Sequence, residues 1–198
     1  SYDKFETGLY GTGNYLLNNS TTLEAGIRYD FMTIEATKYY LKSRWVERNY
    51  DQDFPHFIVG EENNQWLTKP NFVYHNFSAS LGFKKVFHHE IKLFTNVSLA
   101  SRNPNPSELF SDGLHHSTGQ IELGDLRLKK ENSIKLNTSF TKDWKTRNLQ
   151  IAPFLNAIDN FMYLQPVVFE TTIRGAFPVW NYKQTEALLY GIDVTHNW

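Results

Sequence analysis

The chain has 198 residues, a net charge of -1 and no cysteine, which excludes a disulfide framework or thiolate metal site and argues against nucleic acid as a partner. Hydrophobic residues make up 40% and charged residues 21%, a balance that calls for a folded core and not disorder. Aromatic residues reach 16%, with 15 Phe, 11 Tyr and 5 Trp; such enrichment favours strands and suits barrels that carry aromatic belts at a lipid boundary.

Taken in order, residues 5–17 show a weak alternation of apolar and polar positions, and the tight polar turn Asn18-Asn19-Ser20-Thr21 follows. From 22 to 31 the alternation is complete: Leu23, Ala25, Ile27, Tyr29 and Phe31 share one face, and Glu24, Gly26, Arg28 and Asp30 the other. Period two marks a strand with one apolar and one wet side. A connection of about thirty residues, 41–70, comes next. The pattern returns in 76–84 (Phe77, Ala79, Leu81, Phe83) and, after a tight turn near Lys85 to His88, in 90–99 (Ile91, Leu93, Val97, Leu99). A second long connection, 102–133, separates these from a strand at 134–141 with Ile134, Leu136 and Phe140 on its apolar side. The short turn Asp143 to Arg147, a weaker strand at 148–162, a longer loop at 164–180 and a final strand at 186–198 complete the chain. This reading predicts seven strands and no helix.

Short and long connections alternate along this series. In an up-and-down antiparallel sheet every second connection emerges at the same end, so the short turns gather at one end and the long loops at the other. Outer-membrane barrels have that asymmetry. No run approaches the ~18 apolar residues of a membrane helix, which is no obstacle to crossing by alternating strands. The predicted fold class is therefore all-β: an antiparallel up-and-down transmembrane β-barrel segment of about seven strands, residues 1–198, with short periplasmic turns and long extracellular loops. Seven strands leave an open edge that lipid does not tolerate. Ser1 also opens the chain without a charged and apolar leader. A truncated piece of a larger barrel is expected. The rival reading is a soluble all-β carbohydrate-binding module, in which the apolar faces would turn inward between two sheets.

The most informative stretch is 102–133. It reads Arg102-Asn103-Pro104-Asn105-Pro106-Ser107-Glu108-Leu109, then Gly113-Leu114-His115, then Glu122-Leu123-Gly124, then Leu128-Lys129-Lys130-Glu131-Asn132-Ser133. This wording resembles a signature of TonB-dependent outer-membrane receptors, in which the same four phrases follow one another around an extracellular loop. The resemblance implies a receptor that closes with about 22 strands around an amino-terminal plug. This chain would supply about a third of that wall. It further implies these partners: the plug domain and remaining barrel strands, the TonB complex reached through the amino-terminal part, outer-membrane lipid and a small transported ligand. The implied location is the outer membrane of a Gram-negative bacterium. The implied function is import of a scarce nutrient such as a metal ion, metal chelate, siderophore or haem, with no cofactor and no covalent chemistry.

The sharpest ligand candidates are His115 and His116, since neutral imidazole binds zinc, copper, nickel or haem iron; Glu108, Asp112 and Glu122 could add oxygen ligands. Within the family the Glu-Leu, Asp-Gly-x-His and Glu-x-Gly wording is closest to receptors associated with zinc, whereas Gly124 to Leu128 lacks the Asn-Pro of the haem receptors. The alternative is that this loop folds by hydrogen bonding and touches no substrate. The 41–70 loop carries Trp45, Tyr50, His56 and Trp66 among carboxylates, a set that could stack on a planar chelate, a catechol or a sugar or simply pack the loop on itself. His88 and His89 are read as rim residues at a turn. Ser111, Asp112 and His115 are the residue types of a triad without its geometry, and no G-x-S-x-G, phosphate loop or H-E-x-x-H occurs. No catalysis is expected.

Overall fold

The computed structural model describes residues 1–115, 118–173 and 175–198. Seven long strands carry the architecture: β1 (Tyr2–Asn18), β2 (Thr21–Ala36), β6 (Asn71–Phe87), β7 (Ile91–Arg102), β10 (Glu131–Asp143), β11 (Asn148–Thr172) and β12 (Gly175–Asn197). Between them lie three short strands of one loop, β3 (Lys38–Leu41), β4 (Ile58–Glu62) and β5 (Gln65–Thr68), and two of another, β8 (Asp112–His115) and β9 (Gln120–Leu123). The main sheet runs β1-β2-β6-β7-β10-β11-β12 in chain order, with β9 and β8 added beyond β12. The ladders from β6 through β12 are antiparallel, whereas β9 pairs with β12 in parallel.

By its internal contacts the chain divides into two units, Ser1–Thr7 with Asp30–His75, and Gly8–Tyr29 with Asn76–Trp198. In the second, the cross-strand register decides which face is which. Leu81, Val97, Leu136, Leu155 and Tyr190 stand opposite one another across five strands, and all five are between 39% and 75% exposed. The next row, Ala79, Leu99, Ile134, Ala157 and Leu188, repeats the pattern. On the reverse face the rows are Ser80, Ser98, Lys135, Asn156 and Leu189, then Gly82, Asn96, Asn137, Phe154 and Gly191. A sandwich would bury the first two rows against a second sheet. Here they are bare, which is the arrangement of a wall facing hydrocarbon, and the soluble-module reading fails on it. Gly191 has a packing reason: a Cβ there would lie 2.9 Å from the Phe154 ring, so the ring lies over the glycine across the strand pair.

The short turns are built by local chemistry. Asn18 Oδ1 accepts from the backbone N and the hydroxyl of Ser20, at 3.0 and 2.9 Å, the Asx arrangement that reverses a chain. His89 and Glu90 take left-handed backbone angles between β6 and β7. Trp144 and Arg147 exchange backbone hydrogen bonds between β10 and β11.

Two expectations need correction. The loop predicted over 164–180 is instead the continuation of β11 and β12, paired from Asn148 with Asn197 up to Thr172 with Gly175. At about 3.3 Å per residue the 25 residues of β11 reach about 80 Å, more than a tilted crossing needs. Pro166 and Pro178 lie within these paired strands, as proline can where its nitrogen is not needed as a ladder donor. Helices also occur: α1 (Lys42–Glu47), α2 (Tyr50–Asp53) and α3 (Pro106–Phe110). Each is four to six residues long, too short to print a 3.6-residue period on the sequence.

The first unit holds the 41–70 loop, folded as a β3-β5-β4 sheet with α1 and α2. Its core is aromatic. Trp45 packs on Tyr40 and Tyr50 with ring centroids 5.2 and 5.1 Å apart, and Phe54 stacks on Phe57 at 5.2 Å. Met32, Ile34 and Ala36 of β2 are buried in the same unit. Lys69 N donates to Phe57 O and Ala36 N to Pro70 O, at 2.8 and 3.0 Å.

Candidate functional site

The 102–133 segment is organised around one guanidinium. Arg102, the last residue of β7, directs Nη1 at both carboxylate oxygens of Glu108 at 3.0 Å and Nε at Glu131 Oε2 at 2.6 Å. Glu131, first residue of β10, uses its other oxygen to accept from the Met162 backbone N of β11 at 2.5 Å. One planar fork thus ties two strand ends to the loop helix, a task for which arginine geometry is suited. Asn105 caps α3 by accepting from Glu108 N at 3.0 Å, while Glu108 Oε2 accepts from Asn105 N at 2.8 Å. That is a reciprocal capping box with proline at the first helical position.

Beyond α3 the chain forms the β8–β9 hairpin. Its turn uses Gly119 at φ +63°, a left-handed position that favours glycine. Gly124 then brings the chain against α3: a Cβ there would stand 2.7 Å from backbone atoms of Glu108 and Leu109. The approach is held by Gly124 N donating to Ser111 O at 2.7 Å and Asp125 N to Glu108 O at 2.9 Å. Leu109, Phe110, Ile121, Leu126 and Leu128 are buried beneath it. Glu122 accepts from Gln120 Nε2 at 2.7 Å and lies 3.4 Å from the Tyr182 hydroxyl. Gln184 of β12 closes the segment by accepting from Lys129 N at 2.9 Å and donating to the carbonyls of Lys129 and Asn160 at 2.7 and 2.8 Å. Asn160 itself takes φ +57° at the bulge between Ile158 and Phe161.

The sequence-predicted ligand residues therefore separate. Glu108 and Glu122 are buried in the hydrogen-bond framework, which leaves little of either for a metal ion. Asp112 is half-buried at the start of β8, and His115 is exposed at its end, with Thr118 Oγ1 3.5 Å from Nδ1. His116 lies outside the described residues. Among the described residues, no group of three or more His, Asp or Glu side chains is placed to hold a metal ion. In the 41–70 loop, Trp45 is 0% and Tyr50 1% exposed, so both are core residues and not a stacking platform. His56 is exposed against Phe57, ring centroids 4.4 Å apart. Trp66 lies half-buried under the Lys42 ammonium at 4.3 Å, and Lys42 pairs with Glu61 at 2.8 Å. Nearby, the Tyr39 hydroxyl donates to Glu62 at 2.9 Å, and that hydrogen bond with the carboxylate charge holds the phenol above its ordinary ionisation range. Sequence reasoning passed over Gln184 and the Arg102–Glu131 pairing. The Asn105-Pro106-Ser107-Glu108 cap could have been found from its own wording.

This geometry defines a class: a wall of paired strands, apolar outside and polar inside, whose loops are folded modules. The family model for the TonB dependent receptor-like β-barrel matches residues 1–198, and the chain belongs to that family. Solved structures share the fold. A chain titled copper transporter OprC superposes with a TM-score of 0.70 at 11% identity, covering 98% of this chain and 26% of that one. The Serratia marcescens hemophore receptor HasR, solved with its hemophore HasA and heme, gives 0.65 at 17% identity, with 98% and 31% covered. The siderophore receptor PirA from Pseudomonas aeruginosa gives 0.52 at 14% identity, with 98% and 39% covered. The chain thus spans between about a quarter and two-fifths of these structures. No curated protein matches it in sequence.

Proposed function

We propose that residues 1–198 form part of the barrel of a TonB-dependent receptor that imports a scarce nutrient across the outer membrane of a Gram-negative bacterium. The observation that carries this is the bare apolar row Leu81, Val97, Leu136, Leu155 and Tyr190, backed by a polar face. Such a wall makes sense only where hydrocarbon replaces water on one side. Family membership and the copper, hemophore and siderophore titles of the neighbouring structures support import of a metal or metal chelate. The chain's part in that task is static. It satisfies its backbone groups in ladders and holds loop modules in register, while the plug domain and the TonB complex supply the moving parts. Transport through such a wall involves no covalent chemistry.

For ligand contact we retain His115 and Asp112 on the hairpin together with His116, which follows His115 in the chain, and His56 with Trp66 on the other loop; the exposure of His115 and His56 supports this. Uptake of zinc, copper, haem and ferric chelates by cells carrying the intact receptor tests the function. One of these should support growth that is lost on deletion, and growth indifferent to all of them would sink the metal reading. Replacing His115 and His116 together by alanine should lower uptake of a metal or haem at least tenfold, about the effect of losing one such ligand or its support. Unchanged uptake removes the pair from the site.

A further inference from the structure

We propose that the outward-facing rim at the short-turn end of β6, β7 and β10 to β12 is a binding surface for anionic phospholipid headgroups. The proposal rests on the reading of this wall as a membrane barrel and adds a partner of stated chemistry. Its first support is charge. Residues 84–92 and 142–147, the two adjacent turns, carry six lysine and arginine side chains against two carboxylates, in a chain whose net charge is -1.

The second support is how the register sorts those charges. Above the rim the outward rows are mostly apolar, the exceptions being the Thr95–Thr138 pair and, at the far end, Ser101, Asn132 and Asp159. The last two outward rows are Lys85, Leu93, Phe140, Ile151 and Val194, then Phe87, Ile91, Lys142, Leu149 and His196. Cations thus enter the oily face only at its final two levels. The inward-facing Lys92 is neutralised by Asp143 at 2.7 Å. Among the described residues no carboxylate forms an ion pair with Lys85, and Lys142 donates to the His89 carbonyl while its charge also acts on Asp143.

The third support is that three rim cations, the outward Lys85 and Lys142 and Arg147 of the turn between β10 and β11, each lie over an aromatic ring. Lys85 Nζ is 5.2 Å from the Phe87 centroid, Lys142 Nζ 5.7 Å from Trp144, and Arg147 Cζ 5.2 Å from Trp198. Trp144 and Trp198 are exposed. Indole at a bilayer boundary sits at headgroup level, and a cation beside it with its stem on apolar surface reaches the phosphates by snorkelling. Zwitterionic headgroups offer the same phosphate with its charge cancelled, so the excess cation selects for lipids of net negative charge. A lysine or arginine near an anionic surface enriches such lipid about fivefold.

The test uses the intact receptor reconstituted in phosphatidylcholine vesicles containing an equal mole fraction of either brominated phosphatidylglycerol or brominated phosphatidylcholine. Bromine quenches nearby indoles, and subtracting the Trp144→Phe/Trp198→Phe variant isolates the two rim tryptophans. Brominated phosphatidylglycerol should quench them severalfold more than brominated phosphatidylcholine. That excess should vanish in Lys85→Gln/Lys142→Gln/Arg147→Gln and persist in the inward control Lys84→Gln/Lys135→Gln. Equal quenching in the unaltered receptor, or an excess surviving the triple variant, overturns the proposal. Equal loss in the inward control overturns it too, by assigning the effect to net charge alone. Should the triple variant not fold, raising the ionic strength on the unaltered receptor replaces it: screening should abolish the excess, and persistence counts against the proposal. Quenching by neither lipid would instead overturn the membrane reading on which it rests.

Discussion

At the residue scale, one arginine and one glycine do most to shape the signature segment. Arg102 satisfies the carboxylate of Glu108, which is buried, and a buried carboxylate deprived of its partner costs several kcal/mol. Arg102 itself is 46% exposed, so solvent tempers that figure. We expect Arg102→Ala to lower the local opening free energy of residues 103–130 by about 1–3 kcal/mol. Amide hydrogen exchange should show it as faster exchange in that segment with the strand ladders unchanged; unchanged exchange in the segment would refute the clamp. Gly124→Ala acts by crowding. Its Cβ would meet backbone atoms at 2.7 Å, and backbone cannot step aside as a side-chain tip can. The expected cost is about 1–3 kcal/mol, visible as protease cleavage within 111–128 that the parent chain resists.

At the scale of elements, the 41–70 loop is a small fold with its own core. Trp45 is fully buried between Tyr40 and Tyr50, and truncating a buried tryptophan costs about 3–5 kcal/mol. A three-stranded sheet of four- and five-residue strands has little stability to lose. Trp45→Ala should therefore melt this loop while the β10–β11–β12 ladders persist, as hydrogen exchange or near-ultraviolet circular dichroism can check. A loop that stays protected would mean the sheet is held by something other than its aromatic centre. The sequence showed aromatics and carboxylates here without saying which were inside, because a residue list carries no packing direction. The capping box of α3 was legible. The parallel pairing of β9 with β12 was not, since four residues can join any open edge.

At the scale of the whole molecule, the assignment of faces carries the functional reading and can be tested directly. Leu136 lies in the middle of the exposed apolar row and Asn137 on the reverse face. An arginine on a lipid-facing strand near the bilayer midplane costs about 2–4 kcal/mol, whereas one on the polar face meets water. Leu136→Arg should thus depress folding into vesicles far more than Asn137→Arg. Equal effects would remove the case for a hydrocarbon-facing wall.

The seven long strands and their two faces were already set by the sequence, because a strand in lipid must alternate oily and polar residues at every step, and period two survives in one dimension. Family wording around Arg102 and Glu131 was equally visible. Which carboxylate meets which cation, which tryptophan is buried, and how far β11 and β12 run past the sheet were decided only by tertiary structure. Those outcomes depend on residues as distant as Lys129 and Gln184 coming within hydrogen-bond reach, and closeness in space has no signature along the chain.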